Sequence, residues 1–350
     1  MNKMDCELLG SYLRLHSEQK ELVDFIRDYT GLQTNYSIER DPNICVNFKV
    51  NDDFHVGKNY RRISRSIWLD KSSVFISEIE RFPGLKLEAK IEGNKFYINA
   101  YLVNKNQSVL KKMISYLISK ENHKEFKFIG LLYYIIFVPF FYYLERFCNQ
   151  YLLHASAIEY EGKGIILAGL GGIGKSTFSL GTLLLQGSKF MSDNLIFFDY
   201  QKIYSCPEPI ALDDKSITIL KEIANLLVPK EISFTKNRMW YQIKQEATTT
   251  EAIPKYLFWL QCGNENKILP LNKDMCINHL LNINLLAKEI REYYILAAAF
   301  DFAFSRPLSP NVYFERLSRL LSGVDCYILQ FKPGSDIKSV FNETICKIIV

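Results

Sequence analysis

Residues 169–177 read Gly-Leu-Gly-Gly-Ile-Gly-Lys-Ser-Thr, so that Gly169, Gly174, Lys175 and Ser176 spell G-x-x-x-x-G-K-[ST]. A loop of this kind does one type of chemistry. Successive main-chain N–H groups converge on one anion, a helix beginning just behind them turns its positive end toward it, and glycines remove side chains that would block the approach. Gly169, Leu170, Gly171, Gly172, Ile173, Gly174, Lys175, Ser176 and Thr177 are the candidate nucleotide-phosphate site. Lys175 would reach the β- and γ-phosphates and the Ser176 hydroxyl would sit on Mg²⁺. The alternative is a glycine-rich strand-to-helix turn that binds nothing.

Seventeen residues after Ser176 stand Asp193 and Asn194, in "SDN". Phosphoryl transfer needs a charge clamp and a group that orients or deprotonates the nucleophile, and Asp193 could serve either need. Read alone, it is also an ordinary helix-to-strand turn former. Upstream, His154 in "LLHASA" is either a core histidine or a catalytic one. Arg306, Arg316 and Arg319 could clamp developing charge, or could be solvated and salt-bridging side chains.

These groups need particular elements to hold them. Residues 151–160 and 164–169 are apolar strand candidates joined by "EGKG", a turn sequence, which predicts an antiparallel hairpin directly before the glycine loop. Residues 175–186 are expected to form a helix stopped by Gly187, and "KFMSDNLIFFDY" to return as a strand. Helical patterns follow at 217–228, 276–304 and 310–323, with strands at 255–262 and from Asp325. In the N-terminal half, 43–50 and 95–103 read as strands, "IEGNKFYI" as a hairpin, and 106–122 as a linker helix.

A chain of 350 residues with 48% hydrophobic content favours two domains over one. The expected division is a smaller α+β region at 1–120, a candidate for substrate recognition, an apolar helical connector at 121–147, and a nucleotide-binding domain at 148–350. A net charge of +5, with 43 basic and 38 acidic residues dispersed along the chain, gives no basis for nucleic-acid binding. Eight cysteines without C-x-x-C pairing or zinc-like spacing read as reduced thiols, and the first twenty residues lack a secretory apolar run, so a cytoplasmic location is expected. Residues 128–144 are uncharged over seventeen positions. They read as a buried helix or helix pair, or else as a membrane element.

The run "HASAIEYEGKGIILAGLGGIGKST…GSKFMSDN" resembles the catalytic domain of the HPr kinase/phosphorylase family and its HPr-kinase-related members, which share a core with ATP-dependent phosphoenolpyruvate carboxykinases. The resemblance is close over about 50 residues and weaker through 206–217 and 310–331. It implies a mixed α/β fold with a phosphate-binding loop preceded by a hairpin, ATP and Mg²⁺ as cofactors, nucleotide binding by 169–177, and metal binding by Ser176. It also implies a metal or base role for Asp193 and a place near the transferred phosphate for His154. Asn194 stands where the second acid of the family's Asp-Asp pair would be; an amide can ligate a metal but cannot accept a proton as a carboxylate does. The reading that follows is a kinase moving a γ-phosphate to a hydroxyl, with a serine of a protein or peptide as acceptor, in a chain that can form homo-oligomers. A nucleotide-binding regulator with little catalysis is the alternative. A carboxykinase-type enzyme fits less well, because the chain is short and the second acid is missing. The phosphorolytic back-reaction is not carried over, since no copy of the glycine-containing stretch after the core is found.

Overall fold

The computed structural model describes residues 1–30, 32–35, 40–51, 55–103, 123–235, 238–309 and 311–349. The chain is mixed α/β and divides into two compact units: Met1–Asn149 with Ile232–Thr235 and Tyr293–Leu308, and Gln150–Glu231 with Lys236–Glu292 and Ser309–Val350. The linker helix expected at 106–122 lies outside the described residues.

The first unit is built on alternation. β1 (Asn2–Leu8), β2 (Ser11–Ser17), β3 (Gln33–Asn35), β4 (Ile44–Asn51), β5 (Arg61–Arg62), β6 (Ile67–Leu69), β7 (Ser73–Ile76), β8 (Leu85–Glu92) and β9 (Lys95–Val103) form one sheet in the order β3-β1-β2-β4-β9-β8-β7-β6-β5. In β9, Phe96, Ile98, Ala100 and Leu102 are buried while the residues between them are half-exposed, the period-two pattern of a sheet covered on one face. The β8–β9 hairpin turns at "EGNK", as the turn residues predict.

Helix α1 (Lys20–Tyr29) and a long helical run, α2 (His123–Leu132), a π-helical segment (Tyr133–Phe137) and α3 (Val138–Phe147), belong to the same unit. α3 packs on β2, β4 and β9. By length and composition Phe128–Phe147 could cross a membrane, and 83% of its apolar window is buried within the protein. Its last turn carries a buried ionic cluster: Arg146 donates to both oxygens of Asp301 (2.8 and 2.6 Å) and to Glu145 Oε2 (2.8 Å), which also accepts from Tyr293 Oη (2.5 Å).

In the second unit the strands are β10 (Tyr151–Leu153), β11 (Ser156–Tyr160), β12 (Lys163–Ala168), β13 (Ser188–Ser192), β14 (Ile196–Phe198), β15 (Ile203–Ser205), β16 (Ile210–Asp213), β17 (Leu227–Thr235, its end in the first unit), β18 (Arg238–Ile243), β19 (Glu251–Ala252), β20 (Pro254–Cys262), β21 (Lys267–Pro270) and β22 (Asp325–Phe331). The central sheet runs β13-β11-β12-β20-β22-β21; β10-β14-β15-β19 form a second sheet and β16-β18-β17 a third. β12 and β22 flank β20 in parallel, and the β11–β12 pair is the expected antiparallel hairpin. Helix α4 (Lys175–Gly181) covers one face of the central sheet through Phe178, in a core with Ile165, Leu167, Phe258, Leu329 and Ile337. The remaining helices are α5 (Asp214–Ile219), α6 (Lys273–Leu286), α7 (Lys288–Phe304, crossing into the first unit), α8 (Val312–Leu320), α9 (Ile337–Val340) and α10 (Cys346–Ile349).

Several elements differ from the sequence expectation. The helix after the glycine loop is seven residues long, followed by a 3-10 turn at Thr182–Leu184, and ends before Gln186. There a β-carbon on Gly181 would stand 2.5 Å from Ile337 Cγ2, so the helix is packed too closely for a larger residue. Residues 217–228 are helical only in short pieces, since Asp213 caps α5 through the Ser216 N–H, a 3-10 segment follows, and Leu227 enters a strand. The stretch 276–304 is two helices broken at Ala287. Residues 151–160 and 189–200 each hold two strands rather than one, the first passing from the second sheet to the central sheet and the other from the central sheet to the second.

Candidate functional site

The two split strands run side by side and break at the same place. On one, Leu152 and Leu153 pair with Phe197 and Ile196 in the second sheet, whereas Ser156 pairs with Leu167 in the central sheet. On the other, Ser192 pairs with Ala157, and Ile196 has already joined the second sheet. His154 and Ala155 fill the first gap; Asp193, Asn194 and Leu195 fill the second. A three-residue turn spans each: Ala155 N–H donates to Leu153 O (3.0 Å) around His154, and Leu195 N–H donates to Asp193 O (2.8 Å) around Asn194, whose φ is 71°. Ser192, buried, locks the second turn by donating to Leu195 O (2.5 Å) and accepting from the Cys206 N–H (3.1 Å). Irregular backbone of this kind frees side chains from the sheet's alternation, and here it points them at the end of β12.

There the glycine-rich loop begins. Gly169 has φ of 153°, and a β-carbon on it would meet Leu260 O of β20 at 3.0 Å, so close passage over the neighbouring strand requires glycine. Gly174, directly before α4, has φ of 101°. Leu170 is exposed at the loop tip, and Lys175 is buried, donating from Nζ to Gly169 O (2.9 Å) and Leu170 O (3.3 Å). Burial holds its ammonium below the usual lysine range, partly offset by the Asp193 carboxylate.

Asp193 joins the turn to the loop. Its Oδ2 accepts from Ser176 Oγ at the start of α4 (2.7 Å), and its Oδ1 accepts from Ser156 Oγ on β11 (2.7 Å). Ser176 and Asp193, separated by seventeen positions, are thus in direct contact. A hydroxyl and a single carboxylate fit a magnesium ion, which keeps several waters and takes other ligands from phosphate oxygens. Among the described residues, no group of three or more His, Cys, Asp or Glu forms a metal cage.

His154 stands on the adjoining turn. Burial, then the charge of Lys175, pushes its imidazole down to about 4, opposed by a hydrogen bond with the Asn194 main chain, so the ring is neutral at neutral pH. Its Nδ1 is buried with no hydrogen-bond partner among the described residues. The His154 N–H donates to Asn284 Oδ1 (2.7 Å), and Asn284 Nδ2 donates to Leu152 O (3.0 Å). Glu208 is pushed up to about 8 by burial first, then by Glu289 and Asp193.

The arrangement therefore combines a glycine-rich loop, one lysine, a hydroxyl–carboxylate pair and a neutral histidine. Arg306 belongs to the first unit and lies over the Phe147 ring (4.5 Å), Arg316 lies over Tyr151 (5.6 Å), and Arg319 is exposed on α8. Three residues absent from the sequence reading belong to the constellation: Ser156, Asn284 and Glu208. Ser156 and Asn284 carry a faint signal, each a polar residue in an apolar run ("HASAI", "HLLNINLL") at a position that the fold buries.

No family model and no curated protein matches the chain. Among solved structures, the chain is similar to the HPr(Ser) kinase/phosphatase from Coxiella burnetii, at 11% identity and a TM-score of 0.26, over 56% of this chain and 88% of that one.

Proposed function

We propose that the protein is an ATP-dependent kinase that moves the γ-phosphate to a hydroxyl, with a serine of a protein or peptide as acceptor. The observation that carries the reading is the contact of Ser176 with Asp193 at the mouth of a loop spelled G-x-x-x-x-G-K-S, because it joins the group that would bind the nucleotide to the group that would act on the acceptor.

In this reading the amides of residues 169–177 bind the phosphates, and Lys175 exchanges the loop carbonyls for phosphate oxygens. The brevity of α4 does not weaken this, since a helix end acts on charge within its first turn. Ser176 and Asp193, with the Asn194 amide as a further candidate, would hold Mg²⁺, which neutralises charge on the phosphates when bound. Asp193, fixed by Ser156, orients the acceptor hydroxyl or takes its proton. Neutral His154 adds no positive charge and offers an acceptor nitrogen beside Lys175. A cytoplasmic location and homo-oligomer formation accompany the proposal.

The amide at 194 favours one second reading, a regulator that binds nucleotide without transferring phosphate. Purified protein with Mg²⁺ and γ-labelled ATP, offered HPr-like proteins, peptides from a cell extract and free serine, separates the two. Label on an acceptor is the expected result. Calorimetric nucleotide binding with no label on any acceptor establishes the regulator, and absence of binding removes both.

A further inference from the structure

The turn that carries His154 is held by a residue 130 positions away. Among the described residues β10 is the edge strand of its sheet, paired with β14 on one side only, yet Leu152 is fully buried and main-chain groups facing the open side need partners. Asn284 provides them. Its side-chain amide accepts from the His154 N–H (2.7 Å) and donates to Leu152 O (3.0 Å), the groups on either side of Leu153 that an adjacent strand would engage. A leucine would fill the same volume without needing partners of its own, but it would leave both buried main-chain groups without theirs. Asn284 is itself 2% exposed, on a face of α6 shared with Cys276, Ile277, Leu280 and Ile283. Its polarity therefore serves the turn rather than solvent.

The turn in turn sets the imidazole. With the His154 main chain fixed from behind by α6, the ring lies against the Asn194 main chain and within the field of Lys175. We propose that Asn284 is a positioning residue for phosphoryl transfer, holding the Leu152–His154 segment so that His154 stays beside the glycine-rich loop. This rests on the kinase reading for the word transfer. The tether itself does not.

The test is Asn284→Ala, with Asn284→Asp as a near-isosteric companion that keeps the acceptor and loses the donor. Hydrogen exchange followed by NMR should show the His154 amide exchanging about tenfold faster or more in Asn284→Ala, while the amides of 165–167 keep their rates. In Asn284→Asp the His154 amide should stay protected. In label transfer, Asn284→Ala should lower kcat about 10–100-fold, the scale of a small misplacement made far from the chemistry, with ATP affinity kept within about threefold. The double variant His154→Ala/Asn284→Ala should be no slower than His154→Ala alone, because Asn284 acts through His154. Unchanged exchange at His154, an unchanged kcat, or effects that multiply in the double variant would overturn the proposal. If the unmodified protein labels nothing, the kinase reading falls, and the exchange rates still decide whether Asn284 holds the turn. If Asn284→Ala does not fold, the comparison passes to Asn284→Asp, where loss of protection at the His154 amide is the refuting result.

Discussion

Ser156→Ala tests the role of Asp193 without touching Asp193 or the loop. Ser156 is fully buried, and its hydroxyl donates to Asp193 Oδ1 at 2.7 Å while Oδ2 remains bonded to Ser176. A hydrogen bond to a charged acceptor contributes about 1.5–3 kcal/mol, and alanine fits the serine site with little change in packing. Asp193 in the variant keeps one anchor and gains freedom to rotate. If its orientation matters fully in the transition state, that energy converts at about 1.4 kcal/mol per decade into a turnover lower by roughly 10–150-fold. ATP affinity should stay within about threefold, because the lost bond lies on the far side of the carboxylate from the loop. Label transfer and calorimetry on the same preparation separate the two quantities. A folded Ser156→Ala protein that turns over within twofold of the parent would refute the claim that Asp193 is held for use. A variant that loses nucleotide binding instead would show that Ser156 supports the loop.

Lys175→Ala should lower turnover about 10²–10³-fold, the usual loss for one transition-state charge contact, and equal activity would exclude the loop as the site. His154 gives the protein an acid-side stability slope. Its imidazole titrates at about 4 when folded against about 6.5 when unfolded, so the unfolded chain binds the proton first; stability is complete above about pH 6.5 and falls as pH drops toward 4, by up to about 3 kcal/mol. Denaturant melts across that window should show the slope, and His154→Gln should flatten it. In the first unit, Arg146→Met leaves Glu145 and Asp301 buried without their cation, at about 3–5 kcal/mol, read as a lower denaturant midpoint with an unchanged slope.

What was legible in the sequence was local. The glycine loop, the β11–β12 hairpin and the strands at 44–51, 95–103 and 254–262 are written in spacings of a few residues, which turn chemistry and periodicity reach. The breaks at His154 and Asp193 are not. Both stretches are apolar on either side of the break, and nothing in the alternation marks that 151–153 and 196–198 pair in one sheet while 156–160 and 188–192 pair in another. That change is decided by groups distant in sequence, namely Asn284 for one turn and Cys206 for the other. The site residues named from the motif are where two local patterns meet; Ser156 and Asn284 show in the sequence only as polar residues in apolar runs, and their partners, like the burial of Glu208, come from the fold.

Asn194 shows how a departure from an expected pattern can have a conformational cause. The resemblance to the HPr-kinase-related sequences leads to an acid at this position, and an amide suggests lost chemistry. The backbone gives another reason. At φ of 71° Asn194 occupies a region that only glycine and short polar residues such as asparagine adopt readily, and it must do so for the chain to leave β13 and pair with β10. Electrostatics points the same way. Burial first, then Glu289 and Asp193, pushes Glu208 up to about 8, and a further carboxylate beside Asp193 would add to that repulsion. The carboxylate that touches Ser176 is retained, and the neighbouring position is freed to make the turn that aims it.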